Sequence, residues 1–190
     1  CAIIADEDLD TDHMDAIKAF TQADVDAVLY CDMPEGFDEP GYVLRLAKAL
    51  EGIKQGAALW YKHNRTAWHQ LGFSSWLNEP NLYTHESLHI RVGVFADDML
   101  AAYKPEITSE YLAIKKAYAK LIRIGQVDTI DPVLKFTGIH ISRDRHNKTL
   151  TISQGRYIEQ LATQYQGQFT EQSTPHGTSK EDRQAFEKLE

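Results

Sequence analysis

Residues 88–103 read LHIRVGVFADDMLAAY, and how this stretch is read decides the fold. Two apolar runs flank the adjacent aspartates Asp97 and Asp98, which predicts strands over 88–95 and 99–103 joined as a hairpin through the aspartates. Like charges about 4 Å apart repel by roughly 4 kcal/mol at an effective dielectric near 20. Either water offsets that repulsion in an ordinary exposed turn, or a cation does.

Outward from the hairpin, a further strand is expected around 81–84. Leu59, Trp60, His63, Ala67, Trp68 and Leu71 fall at 3–4 spacing, predicting an amphipathic helix from Gln55 to about Leu71 that Gly72 ends. Beyond the hairpin, Pro105 opens and Gly125 closes a helix over 105–125, with Ile107, Tyr111, Ile114, Tyr118, Leu121 and Ile122 on one face. Residues 133–153 read as two strands through the polar turn DRHNK, and 154–166 as a last helix. Nearer the amino end, MDAIKAF (14–20) reads as a short strand or a turn-flanked segment, and Thr21 or Asp24 opens a short helix over 21–30. MPEGFDEPGY (33–42) is loop, and YVLRL (42–46) a short strand. The expected class is α+β, an antiparallel sheet with helices packed on one face. It occupies 1–168, and the polar stretch 169–190 is a tail or linker.

With 190 residues and 43% hydrophobic content, one sizeable core is affordable. No run is long enough to cross a bilayer, and CAIIA at the start is too short for a secretory core segment. Cys1 and Cys31 alone make neither a disulfide framework nor a cysteine zinc site. The expected setting is intracellular, cytoplasmic or nuclear rather than secreted, with no membrane partner. A net charge of −8 is awkward for binding phosphates, but it is unevenly spread. Lys18 is the one Lys or Arg among the first 40 residues, which are rich in Asp and Glu. Residues 41–66 carry Arg45, Lys48, Lys54, Lys62 and Arg65 against Glu51, and SRDRHNK (142–148) is a second basic group.

Two carboxylates at a hairpin tip are held rigidly where water still enters. A third on a neighbouring strand would complete a site for two Mg²⁺ ions about 3.5–4 Å apart, the arrangement that drives in-line phosphoryl transfer. Asp15, in HMDAIKAF, is the candidate third group. His85 with His89, and His63 with His69, lack the spacing on one helical face that a zinc pair needs. Trp60, Trp68 and Trp76 read as packing residues rather than a base-stacking platform.

From about residue 9 to 168 the chain resembles the reverse transcriptase of copia-type LTR retrotransposons. The family's M-D-V-K-T-A-F stands here as MDAIKAF (14–20), and its P-E-G-F is unchanged at Pro34–Phe37. R-L-x-K-x-L-Y-G-L-K-Q-A-P-R-x-W-Y stands as RLAKALEGIKQGAALWY (45–61), L-G-F as Leu71–Phe73, and D-P-C-L-Y as part of NEPNLY (78–83). Y-V-D-D-M-L stands as FADDML within FADDMLAAY (95–103), and FTGIHISRDR (136–145) with LTISQGRYIEQL (150–161) match the late palm segments.

The resemblance implies a polymerase palm with part of the fingers, acting as an RNA-directed DNA polymerase. Asp15, Asp97 and Asp98 would be both catalytic and metal-binding, holding two Mg²⁺ ions (Mn²⁺ also serving), with the Ala16 carbonyl as a further ligand. Phe20 matches the aromatic residue under the incoming sugar that selects deoxynucleotides; taken alone it reads as core packing. Gln55 matches the glutamine of the nucleotide pocket; taken alone it reads as a helix-start residue. The turn at Gly138 corresponds to a primer-supporting segment. Implied partners are an RNA or DNA template with primer, deoxynucleoside triphosphates, and the integrase and RNase H segments of a Pol polyprotein.

Departures from the family pattern are specific. Phe95 and Ala96 replace Tyr and Val, Glu51 replaces Tyr, and Gly56–Ala58 replace Ala-Pro-Arg. The family's basic fingers strands precede the first aspartate, whereas Asp15 stands fourteen residues after Cys1, so a piece of a larger polyprotein is expected. Two rival readings remain: an inert retrotransposon-derived remnant that keeps the fold, and an acidic metal-binding domain that is not a polymerase.

Overall fold

The computed structural model describes residues 1–37, 39–130 and 135–165. By its internal contacts the chain divides into two units, 1–153 and 154–190. Within the first, five strands form one antiparallel sheet: β1 (Asp10–Asp15), β4 (Ser74–Ser75), β5 (Leu82–His85), β6 (Ile90–Phe95) and β7 (Asp98–Tyr103), in the spatial order β1-β7-β6-β5-β4. The expected hairpin is β6–β7, with Phe95 paired to Asp98 and Ala96–Asp97 as its two-residue turn. β2 (Tyr30–Cys31) and β3 (Leu44–Arg45) form a separate pair, and β8 (Lys135–Phe136), β9 (Ile139–Asp144) and β10 (Thr149–Ser153) a second sheet in the order β10-β9-β8.

Strand alternation turns Tyr83, Ile90, Val92, Met99, Ala101 and Tyr103 to one face of the large sheet. Helices α2 (Gly56–Gln70) and α3 (Thr108–Ala119) cover that face with Trp60, Ala67, Trp68, Tyr111 and Tyr118. Trp68 stacks on Tyr118 at 4.1 Å between ring centroids, and Tyr103 on Tyr111 at 4.0 Å. On the other face a smaller cluster joins Ile4 of α1 (Ala2–Asp6), Leu9, Leu100, Ala102 and Leu150. The architecture is α+β as expected, with one addition: the second sheet and α1 dress the face opposite the main helices. In the second unit, α4 (Gly155–Gln164) is the expected last helix. The expected tail at 169–190 lies outside the described residues. No helix among the described residues is long and apolar enough to cross a membrane.

α2 ends as its sequence dictates. Gly72 takes φ +84, its N–H donates to the His69 carbonyl, and the Phe73 N–H reaches back to the Trp68 carbonyl at 3.1 Å. This is the Schellman arrangement, completed by the Phe73 ring 4.9 Å from Trp68.

Three expectations are corrected by tertiary pairing. The helix over 21–30 is absent; a 3₁₀ turn at Ala19–Gln22 leads into extended chain, because Ala23 and Val25 bond the backbone of Ala49 and Ala47. The helix over 105–125 is shorter, with a 3₁₀ turn at Pro105–Ile107 before α3. Its expected last turn instead pairs with the end of β1, since Ile17 N–H donates to Arg123 and Gly125 N–H to Asp15. The strand over 42–46 shrinks to β3, while β1, β4 and α1 are elements that periodicity did not reveal.

Candidate catalytic tip

Asp15 is the last residue of β1 and is paired directly with Asp98, the first residue of β7. The next backbone bond runs from the Ala16 N–H to the Asp97 carbonyl at 3.1 Å. That pattern marks Asp15–Asp98 as a non-hydrogen-bonded pair, the closer kind, with facing Cα atoms about 4.5 Å apart. Asp97 follows in the turn, so the three expected carboxylates and Ala16 meet at one edge of the sheet. Phe20 lies in the 3₁₀ turn Ala19–Gln22, and Gln55 immediately precedes α2.

Several side chains outside the motif hold this edge. The Trp60 indole N–H on α2 donates to the Ala96 carbonyl at 2.9 Å. Ala96 takes φ +53, a left-handed conformation that L side chains rarely adopt. Behind it, the Tyr118 hydroxyl donates to Asn64 Oδ1 at 2.7 Å and lies 3.1 Å from Met99 Sδ. Gln22, buried, holds the other flank: its amide N–H₂ donates to the carbonyls of Ile17 and Arg123 at 2.9 and 3.0 Å, and its Oε1 accepts the Arg123 N–H at 2.7 Å.

Asp98 is itself engaged. His13 Nε2 stands 3.1 Å from its Oδ1, and the Thr137 N–H donates to its Oδ2 at 3.2 Å. Burial, reinforced by the charges of Asp97 and Asp98, raises the Asp15 pKa above the ordinary carboxylate value. Among the described residues no three His, Cys, Asp or Glu side chains stand in metal-holding geometry. The donor chemistry nonetheless suits a hard divalent cation, since all the side-chain groups are carboxylates.

A cavity of about 200 Å³ adjoins the tip, lined by Phe20, Ala57, Trp60, Tyr61, Asn64 and Ala96 among others. Phe20 is also half-buried against the core, the packing it reads as when taken alone. Gln55 is half-buried at the start of α2, where its carbonyl accepts the Leu59 N–H at 3.0 Å. Beside it, a Cβ on Gly56 would lie 2.9 Å from the Leu50 carbonyl, so the glycine permits a close backbone approach. Gly138, at φ +81, follows Thr137 at φ +50 in the β8–β9 turn.

Sequence reasoning missed a buried ion pair beneath the tip. Asp12 and Lys115, 0% and 1% exposed, bond at 2.7 Å; the Tyr111 hydroxyl donates to the same Asp12 oxygen at 2.5 Å, and Lys115 also reaches the Thr129 carbonyl at 2.8 Å. Burial and the Asp12 charge push the Tyr111 phenol well up. The signal was a lysine in the 111–115–118 seam of α3. The basic group at 142–148 is partly neutralised within the chain, as Arg143 and Arg145 pair with Asp8, and Arg145 with Asp10. His69 bonds the Phe73 carbonyl and Arg65, and Trp68 is core, as expected; Trp76 is 47% exposed.

Comparison with known proteins bears on the family of the chain. A profile of the family described as "Reverse transcriptase (RNA-dependent DNA polymerase)" matches residues 1–175. The chain is 26% identical over 170 residues to the retrovirus-related Pol polyprotein from transposon TNT 1-94 of Nicotiana tabacum, covering 86% of this chain and 12% of that protein. It is 31% identical over 157 residues to the putative transposon Ty5-1 protein YCL074W of Saccharomyces cerevisiae, covering 80% of this chain and 49% of that one. Against the Pol polyprotein from transposon RE2 of Arabidopsis thaliana it is 29% identical over 153 residues, 78% of this chain and 10% of the relative. The chain therefore spans from about a tenth to about half the length of these relatives. No solved structure matches significantly. With the family profile spanning most of its length, the chain belongs to the reverse transcriptase family, in its copia-type retrotransposon branch.

Proposed function

We propose that this chain is the palm segment of an RNA-directed DNA polymerase that adds deoxynucleotides to a primer 3′-hydroxyl by two-metal nucleotidyl transfer. The observation that carries this reading is the register that sets Asp15 opposite Asp98 with Asp97 beside it. Asp15, Asp97 and Asp98, with the Ala16 carbonyl, would hold Mg²⁺ or Mn²⁺. Bound there, the cations supply charge stabilisation for in-line displacement at the incoming triphosphate.

The chain's own residues supply position. Trp60 and the Ala16 backbone hold the tip still, which keeps the carboxylates aimed without reorganisation during reaction. Phe20 offers an aromatic wall that leaves no space for a 2′-hydroxyl, selecting deoxynucleotides. Gln55 bounds the nucleotide pocket, and the Gly138 turn supports the primer strand. Template with primer and deoxynucleoside triphosphates are the substrates, and the integrase and RNase H segments of a Pol polyprotein are the partners.

Primer extension on poly(rA)/oligo(dT) with Mg²⁺, run beside Asp97→Asn, tests the reading. Incorporation lost in the variant supports it. Equal or absent incorporation in both overturns it for this chain, and Mg²⁺ binding by calorimetry that ignores primer–template then identifies an acidic metal-binding domain instead.

A further inference from the structure

Two turns in which a non-glycine residue takes positive φ converge on one carboxylate. Ala96, at φ +53, precedes Asp97 and Asp98 in the β6–β7 turn. Thr137, at φ +50, is the first residue of the β8–β9 turn, and Gly138 at φ +81 is the second. Positive φ at both central residues is the signature of a type I′ hairpin, and a β-branched threonine is a strained choice for it. Asp98 touches both turns, as the first residue after one and as the acceptor of the Thr137 N–H from the other.

The remaining oxygen of Asp98 faces His13. His13 and Asp15 are two residues apart on β1, so they share a face, and the diagonal across the ladder brings His13 Nε2 to Asp98 Oδ1 at 3.1 Å. The imidazole is also held from the second sheet, with its ring edge-on to Phe136 at 6.5 Å between centroids. One side chain thus bonds β7 while packing against β8. A carboxylate gripped by a different donor on each oxygen has its plane fixed, whereas an exposed aspartate rotates freely about χ2.

We propose that His13 is a positioning residue of the catalytic tip. Together with the Thr137 N–H it fixes the Asp98 carboxylate, and through Asp98 it registers the Gly138 turn against Asp15 and Asp97. The inference rests on the polymerase reading for what the tip binds, but not for the latch itself. It assigns the β8–β9 turn a fixed distance from the acidic edge, as a strand-supporting turn beside a reacting end requires.

Two variants separate the donor from the packing. His13→Phe keeps a ring against Phe136 and removes the N–H; His13→Gln keeps an N–H near the Nε2 position. Both are measured on the whole chain by Mn²⁺ titration calorimetry and by amide exchange at Thr137, with the dispersion of amide resonances reporting the fold. The expected result is Mn²⁺ binding weakened about tenfold and Thr137 exchange about tenfold faster in His13→Phe, with His13→Gln within about threefold of the parent on both. Parent-like Mn²⁺ affinity and Thr137 exchange in a folded His13→Phe overturn the proposal, as does failure of His13→Gln to rescue. Absence of Mn²⁺ binding in the parent removes the polymerase reading and with it the metal-site consequence of His13 positioning, while the exchange arm still decides the latch.

Discussion

Asp15 faces Asp98 across the β1–β7 ladder as a non-hydrogen-bonded pair, with Asp97 next in the turn. Burial and these neighbours raise the Asp15 pKa in the folded chain, so the native state keeps this proton to a higher pH than the unfolded chain does. The associated stability is present below the unfolded value of 3.8 and is lost as pH rises to the raised native value. Asp15→Asn is expected to be more stable than the parent at pH 7 by a few tenths of a kcal/mol, because the exposed Asp15 carboxylate is screened by water, with the difference vanishing near pH 3. Urea unfolding across that range checks it, and a less stable variant at pH 7 contradicts it.

Lys115 and Asp12 are enclosed together, with the Tyr111 hydroxyl on the same oxygen. Removing one charge leaves the other buried and uncompensated. Lys115→Met is expected to cost about 3–5 kcal/mol. The double variant Asp12→Asn/Lys115→Met is expected to cost less than the sum of the singles, because no lone charge remains. A double-mutant cycle in chemical denaturation measures the coupling.

Gln22 makes three hydrogen bonds with one amide, to Ile17 and to both backbone groups of Arg123. Gln22→Ala removes all three, taking from the Ile17 carbonyl and the Arg123 N–H their Gln22 partner while the Arg123 carbonyl keeps the Ile17 N–H, at about 1–3 kcal/mol for an unpaired group. The loss is expected to appear as faster amide exchange at Arg123 in addition to a lower unfolding midpoint. An unchanged Arg123 amide counts against the clamp.

Ala96 occupies positive φ in the hairpin turn. Glycine there relieves about 1–2 kcal/mol of strain and costs about 0.5–1 kcal/mol in unfolded-chain entropy. Ala96→Gly is therefore expected to stabilise the chain by about 0.5 kcal/mol, and thermal unfolding reads the sign.

The elements that sequence reasoning placed well are those whose signals are local. The β6–β7 hairpin is written in two apolar runs around Asp97 and Asp98, and α2 in the spacing from Trp60 to Leu71 with Gly72 as its stop. The elements it misplaced are those decided by distant backbone partners. Residues 21–30 had a helix-start signal but pair with 47–49, and the end of the 105–125 helix gives way to bonds with Asp15 and Ile17. For the candidate site, the aspartates were legible as residue types in a pattern, whereas His13, Thr137, Trp60 and Gln22 were not. They act through contacts with residues far away in the chain, and no spacing rule reports such contacts.

By itself, then, the sequence determined the α+β class, the acidic hairpin tip and the family, because periodicity, turn chemistry and ordered motifs are properties of neighbouring residues. Only the tertiary structure decided that Asp15 closes on Asp98, that Lys115 is sealed against Asp12, and that Asp98 is shared between His13 and Thr137. Register between strands some eighty residues apart is set by which faces can be buried together, a free-energy balance over the whole core.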